Sequence, residues 1–142
     1  MKLLVIHGPN LNMLGRRNPD LYGRFSLEDL YDELSDTFQD IEFTFYQSNY
    51  EGELIEVIQE AMDESYDALL INPGALTHTS IALRDALEML EIPKIEVHLS
   101  DIFKREDFRK IDYIHDVCQA RFMGKKIDSY IEAITYILTL KD

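Results

Sequence analysis

The stretch Lys2-Leu3-Leu4-Val5-Ile6-His7-Gly8-Pro9-Asn10-Leu11-Asn12 opens the chain with an apolar run that stops at a His-Gly-Pro-Asn turn. A short unbroken apolar run ended by Gly and Pro reads as a strand buried on both faces. Loops hung from the carboxyl ends of such strands are where open α/β sheets keep their chemistry. The next segment, Leu14-Gly15-Arg16-Arg17-Asn18-Pro19-Asp20-Leu21-Tyr22-Gly23, puts an Arg pair and a Tyr in that same loop.

Working outward, the periodicity alternates between helix and strand. Ser26 opens a helix whose apolar positions are Leu27, Leu30, Tyr31, Leu34 and Phe38. Ile41, Phe43 and Phe45 alternate with polar residues at a period of two. Glu53 to Ser65 is again helical, with Leu54, Ile55, Val57, Ile58, Ala61 and Met62 facing inward. Ala68 to Ile71 is a third strand, ended by Asn72-Pro73-Gly74, and Ile81 to Leu90 a further helix through Ile81, Leu83, Ala86, Leu87 and Leu90. Lys94 to Leu99 is a fourth strand, followed by a short helix over Arg105 to Arg109. A weaker strand lies over Val117 to Met123, and the last helix carries Ile127, Tyr130, Ile131, Ile134, Ile137 and Leu138. Strands separated by helices of this length imply right-handed crossovers and a parallel sheet. The expected fold is a flavodoxin-like, doubly wound α/β domain over residues 1–142, with five parallel strands in the order 2-1-3-4-5 and helices on both faces.

That layout predicts a site before any chemistry is considered. The strand carboxyl ends carry His7 to Asn10, Gln47-Ser48-Asn49, Asn72-Pro73-Gly74 and His98-Leu99-Ser100, all on one edge of the sheet. The opposite edge offers mainly acidic turns such as Asp40 and Ser65 to Asp67.

Composition bounds the function. With 46% hydrophobic and 29% charged residues the 142-residue chain is globular, and no apolar run is long enough to span a bilayer. No signal-peptide core follows Met1-Lys2, so the cytoplasm is the expected location. A net charge of −13 argues against nucleic acid as a partner. An anionic small substrate requires cations gathered locally, for which Arg16, Arg17, Arg105 and Arg109 are available. The single cysteine, Cys118, has no internal disulfide partner and reads as a buried structural thiol.

Several chemistries are excluded by what the motifs lack. There is no GxGxxG and no GxxxxGK[ST], so a phosphate loop is not expected, although Gly8 and Gly74 permit close backbone approach. The histidines at 7, 78, 98 and 115 lack metal-ligand spacing, and no Gly-x-Ser-x-Gly elbow is present. Response-regulator acids are missing where the first and third strands end, at His7 and Asn72. What remains is Tyr22, Arg17, Asn10 and His98. A tyrosine can act as a base if a fixed guanidinium stabilises its phenolate, and Arg17 lies five residues away. Taken alone, Tyr22 reads equally as a packed loop anchor and His98 as a hydrogen-bonded core histidine.

The motifs together identify more. Gly8-Pro9-Asn10-Leu11-Asn12, Leu14-Gly15-Arg16-Arg17 with Tyr22-Gly23, Gln47-Ser48-Asn49 with Glu51-Gly52, Asn72 to Ala75 through Thr77-His78-Thr79-Ser80 to Arg84-Asp85-Ala86, and Glu96 to Ser100 followed by Arg105-Glu106 and Phe108-Arg109 resemble type II 3-dehydroquinate dehydratase. The resemblance implies dehydration of 3-dehydroquinate to 3-dehydroshikimate by anti elimination through an enolate, in the shikimate route, without metal or organic cofactor. On it, Tyr22 is the base, Arg17 stabilises its deprotonated form, Asn10 helps hold the water at the enolate oxygen, and His98 protonates the leaving hydroxyl. Asn72, His78, Leu99, Ser100 and Arg109 would hold the substrate, while Glu96 and Arg105 would support the site from behind. The segment from about Leu14 to Arg24 would be a lid. Trimers packed into a homododecamer are implied, with Asp85 reaching a neighbouring site.

Four departures from the family pattern stand out: Asn18 where an acid is frequent, Asp101 where Asn is common, Asp112 where Ser is common, and Gln119 to Lys126 in place of a glycine-rich strand. Two alternatives stay open. One is the Schiff-base lysine used by the type I enzyme, and the other a flavodoxin-like binding module that needs neither Arg17 nor Tyr22.

Overall fold

The computed structural model describes residues 1–140 and contains one five-stranded parallel sheet in the order β2-β1-β3-β4-β5. The strands are β1 (Lys2–His7), β2 (Glu42–Gln47), β3 (Ala68–Asn72), β4 (Lys94–His98) and β5 (Ala120–Met123). The helices are α1 (Pro19–Tyr22), α2 (Leu27–Thr37), α3 (Glu51–Ala61), α4 (Ile81–Met89) and α5 (Ile127–Thr139). The three inner strands are buried almost throughout, as their continuous apolar runs require, whereas the edge strand β2 alternates exposed and half-buried residues.

Two apolar layers sandwich the sheet. Leu3, Val5, Leu70, Ile95 and Val97 pack under Leu30 and Leu34 of α2 and Tyr130, Ile134 and Ile137 of α5. On the other face Leu4, Ile6, Leu69 and Ile71 meet Leu54 and Ile58 of α3 and Leu83 and Leu87 of α4. Ser26 caps α2 with a reciprocal capping box to Asp29, a local signal for the start of the helix.

Boundaries moved where end effects outweigh apolar spacing. The second long helix was expected over Glu53 to Ser65, but α3 starts two residues earlier, with Glu51 and Glu53 in the first turn, where their charge suits the helix dipole. It stops at Ala61, because Asp63 and Glu64 would put like charge at the negative end. Met62, Ile81 and Leu138, expected inward, lie at or near element ends and are exposed. The short helix expected over Arg105 to Arg109 is a 3-10 turn at Asp107–Lys110, preceded by another at Ile102–Lys104. A 3-10 turn over His115–Val117 takes up the start of the expected fifth strand, so β5 is shorter than Val117 to Met123. Cys118 is half-buried rather than buried.

The register brings the sheet's polar termini together. His7 of β1 sits between Gln47 of β2 and Asn72 of β3, and Glu96 of β4 sits beside Arg121 of β5. Gly8 lets the loops after β1 and β3 touch: a Cβ there would lie 2.2 Å from the Pro73 carbonyl oxygen. Gly74 supports the same contact at φ 63°, a conformation that glycine adopts without a steric cost.

Candidate active site

A cleft opens where those termini converge, and its lining includes Asn10, Arg17, Tyr22, Asn72, His78 and His98. Leu99, Ser100, Arg105 and Arg109 complete its polar wall. The loop after β1 reaches it first. Asn10 stands at φ 71° with its N–H donating to Asn49 Oδ1 (2.9 Å), and Gln47 Nε2 donates to the Gly8 carbonyl (3.2 Å). Gln47 and Asn49 therefore brace the Asn10 turn from the edge strand and do not line the cleft. Further on, Asn18 accepts from the Asp20 N–H and caps α1, whose first residue is Pro19. This turn of helix, which the sequence pattern did not reveal, carries Tyr22 back over the sheet until it is almost fully buried.

Two guanidinium groups converge on the Tyr22 hydroxyl. Arg17 Nη2 donates to it at 2.8 Å and Arg105 Nη1 at 2.7 Å. Arg17 also lies over the ring, 3.8 Å from its centroid. Arg105 was expected behind the site; instead it stands in the cleft, and it donates to Ser100 Oγ as well (3.2 Å). The loop after β4 folds back across the sheet edge, and that fold is what brings residue 105 to residue 22. Arg17 holds its proton less firmly than a free arginine because of burial and the positive charges of Arg105 and Arg109, with Tyr22 opposing. With Arg109 also in the lining, a chain of net charge −13 concentrates three cations at one anion-sized cleft.

The rest of the lining includes strand ends. His98 and Glu96, both on β4, are buried, and His98 Nε2 contacts Glu96 Oε2 at 2.5 Å. Burial pushes the His98 imidazole toward its neutral form and pushes the Glu96 carboxyl well above the usual carboxylate range. His78 Nδ1 donates to the Ile111 carbonyl (2.7 Å), since a carbonyl only accepts. Asn72 is fixed twice, its Oδ1 accepting from the Gly74 N–H (3.2 Å) and its Nδ2 donating to Tyr130 Oη (2.8 Å).

The Tyr130 contact belongs to a buried chain absent from the sequence reading. Tyr130 Oη, accepting from Asn72, passes its own hydrogen to His7 Nε2 (2.8 Å), which leaves His7 Nδ1–H to donate to Tyr31 Oη (3.2 Å). Burial holds His7 neutral, its pKa pushed down to about 3. No spacing rule links residues 7, 31, 72 and 130; only the stacked layers do.

The departures from the family pattern have local explanations. Asp101 caps the turn at 102–104 through the Phe103 N–H. Gln119 exchanges two hydrogen bonds with the Lys94 backbone. Asp112 pairs with Arg121 (3.1 Å) at the back of the Glu96–His98 contact. Glu96, His98 and Asp112 bring one donor atom each within 4.8 Å of one another. Within this set Asp112 is paired with Arg121 and Glu96 with His98. Asp85 does not join the cleft: it is exposed on α4, beside Arg84 (3.2 Å).

The family model described as "Dehydroquinase class II" matches residues 1–138. This chain belongs to that family. A 3-dehydroquinate dehydratase of Fusobacterium nucleatum is 46% identical, over 97% of both chains. One from Polynucleobacter necessarius is 48% identical over 98% of this chain and 91% of its own length. The crystal structure of a type II dehydroquinase from Butyrivibrio crossotus superposes with a TM-score of 0.94 at 45% identity, covering 97% of both chains. The class II dehydroquinase fold therefore extends over nearly the whole chain. Among the described residues no helix is long and apolar enough to cross a membrane.

Proposed function

We propose that this protein is a hydro-lyase that converts 3-dehydroquinate to 3-dehydroshikimate in the shikimate route of aromatic amino-acid biosynthesis, acting in the cytoplasm without metal or organic cofactor. The carrying observation is the Tyr22 hydroxyl held by Arg17 and Arg105 in a cleft that His98 also lines. A hydrogen beside a ketone is weakly acidic, so its removal needs a strong, shielded base and prearranged donors for the enolate. Two guanidinium N–H groups aimed at one phenolic oxygen compensate the negative charge that a basic Tyr22 carries. Asn10 helps to hold a water at the enolate oxygen, and His98 protonates the departing hydroxyl. Arg109, Asn72, His78 and the Leu99-Ser100 turn bind the substrate carboxylate and hydroxyls. The loop 14–24 acts as a lid that closes Arg17 and Tyr22 over them.

On this reading the elimination is anti. Substrate bearing deuterium only on the face anti to the leaving hydroxyl is expected to give product free of deuterium, read by mass spectrometry. Product that keeps the label would overturn the anti assignment. A Schiff-base route finds no support. No lysine lines the cleft among the described residues, and the buried amino group of Lys94 is bound by the Leu87 and Leu90 carbonyls. Asp85, exposed on α4, is assigned to a neighbouring subunit's site in a dodecamer of trimers.

A further inference from the structure

Behind the Glu96–His98 contact lies a second layer of charge that the roles above leave unused. Glu96 is fully buried, and its Oε1 has no hydrogen-bond donor. The Asp112 carboxylate faces Glu96 from the loop before β5 and is itself over-determined: Oδ1 accepts from the Ile114 and His115 N–H groups (2.9 and 3.1 Å), and Oδ2 accepts from Arg121 (3.1 Å). Burial opposes the Asp112 charge, but the Glu96 contact, the Ile114 N–H, His98 and Arg121 outweigh it and hold the carboxyl below its usual range. Two ionised carboxylates side by side in a dry interior are strongly disfavoured, so at rest one proton stays with the pair, and any step that removes it is followed by its return. Asp112 owns the donors, so the proton stays on Glu96.

We propose that Asp112, clamped by Arg121, is a positioning residue that keeps the Glu96–His98 pair loaded with the proton delivered to the leaving hydroxyl. The inference rests on the dehydratase reading for that hydroxyl. In the step, His98 gives a ring proton to the departing oxygen, which leaves as water, and takes the Glu96 proton at Nε2. Glu96 ends as a carboxylate and regains a proton from solvent, to which Tyr22 releases the one it removed. The titratable and charged neighbours of the pair are Asp112 in the following loop, Arg121 on β5, Cys118 before it, and His78, which also lines the cleft. Of these, Asp112 is the anion that disfavours loss of the Glu96 proton.

Asp112→Asn keeps an oxygen for the Ile114 and His115 N–H groups but removes the charge. The alkaline limb of kcat reports loss of the stored proton, since base catalysis by Tyr22 improves as pH rises. In Asp112→Asn that limb is expected to move down by at least about one pH unit, with KM changed less than about twofold. A limb that stays in place would overturn the proposal. Infrared spectra provide a readout that does not depend on turnover or on the Asn variant folding. At neutral pH the wild type should show the carbonyl band of a protonated buried carboxyl, missing in Glu96→Gln. Absence of that band from the wild type would equally overturn the proposal. Loss of dehydratase activity in the wild type would instead count against the functional reading, with the infrared result still locating the proton.

Discussion

Tyr22→Phe is expected to lower kcat on 3-dehydroquinate by about 10³-fold or more, with unfolding midpoint and KM close to wild type. Phenylalanine keeps the ring under Arg17, so the 3.8 Å stacking contact and the packing of Tyr22 into the α2–α5 layer survive. Only the oxygen between Arg17 and Arg105 is lost. A positioned acid or base contributes typically about 10²–10⁴-fold. The three guanidinium groups of the cleft hold their protons and cannot serve as the base in its place. Measuring kcat and KM separately is the check. A raised KM with unchanged kcat would make Tyr22 a binding residue.

Replacing His98 by glutamine should produce a different defect of similar size, about 10²–10⁴-fold in kcat. Glutamine retains a polar contact for Glu96, so the buried carboxyl is not orphaned, but it cannot pass on a proton. If the enolate forms first and the hydroxyl leaves second, the two variants separate cleanly in deuterated water. With Tyr22 intact, the His98 variant should still exchange the hydrogen beside the ketone into unreacted substrate. Tyr22→Phe should neither exchange nor dehydrate. Loss of exchange together with dehydration in the His98 variant would tie both steps to one event and remove the enolate from the scheme.

Much of this architecture was legible in the sequence because burial leaves a periodic trace. Leu3 to Ile6, Ala68 to Ile71 and Lys94 to Leu99 are read as inner strands because both their faces are covered, and the order of strands follows from crossover geometry. The cleft followed from where those strands end. Its finer assembly did not. Arg105 reaches Tyr22 across 83 positions, and Tyr130 reaches His7 across 123, through loops and layers whose side-chain contacts leave no repeat to count. Asp112 and Arg121 are read separately as substitutions, and only the pairing of β4 with β5 shows that they form one ion pair behind Glu96. Helix ends were also misjudged, as at Met62, where the dipole and local acids override apolar spacing.

The claim on which all of this turns is that Tyr22 and its arginines carry out the elimination with the protein's own groups. The most direct measurement is the ultraviolet absorbance of the conjugated product after 3-dehydroquinate is added to chelator-treated protein, with and without borohydride. The account predicts sustained turnover in chelator and no substrate-dependent inactivation by borohydride. Turnover that needs added metal, or substrate trapped covalently on a lysine, would contradict it.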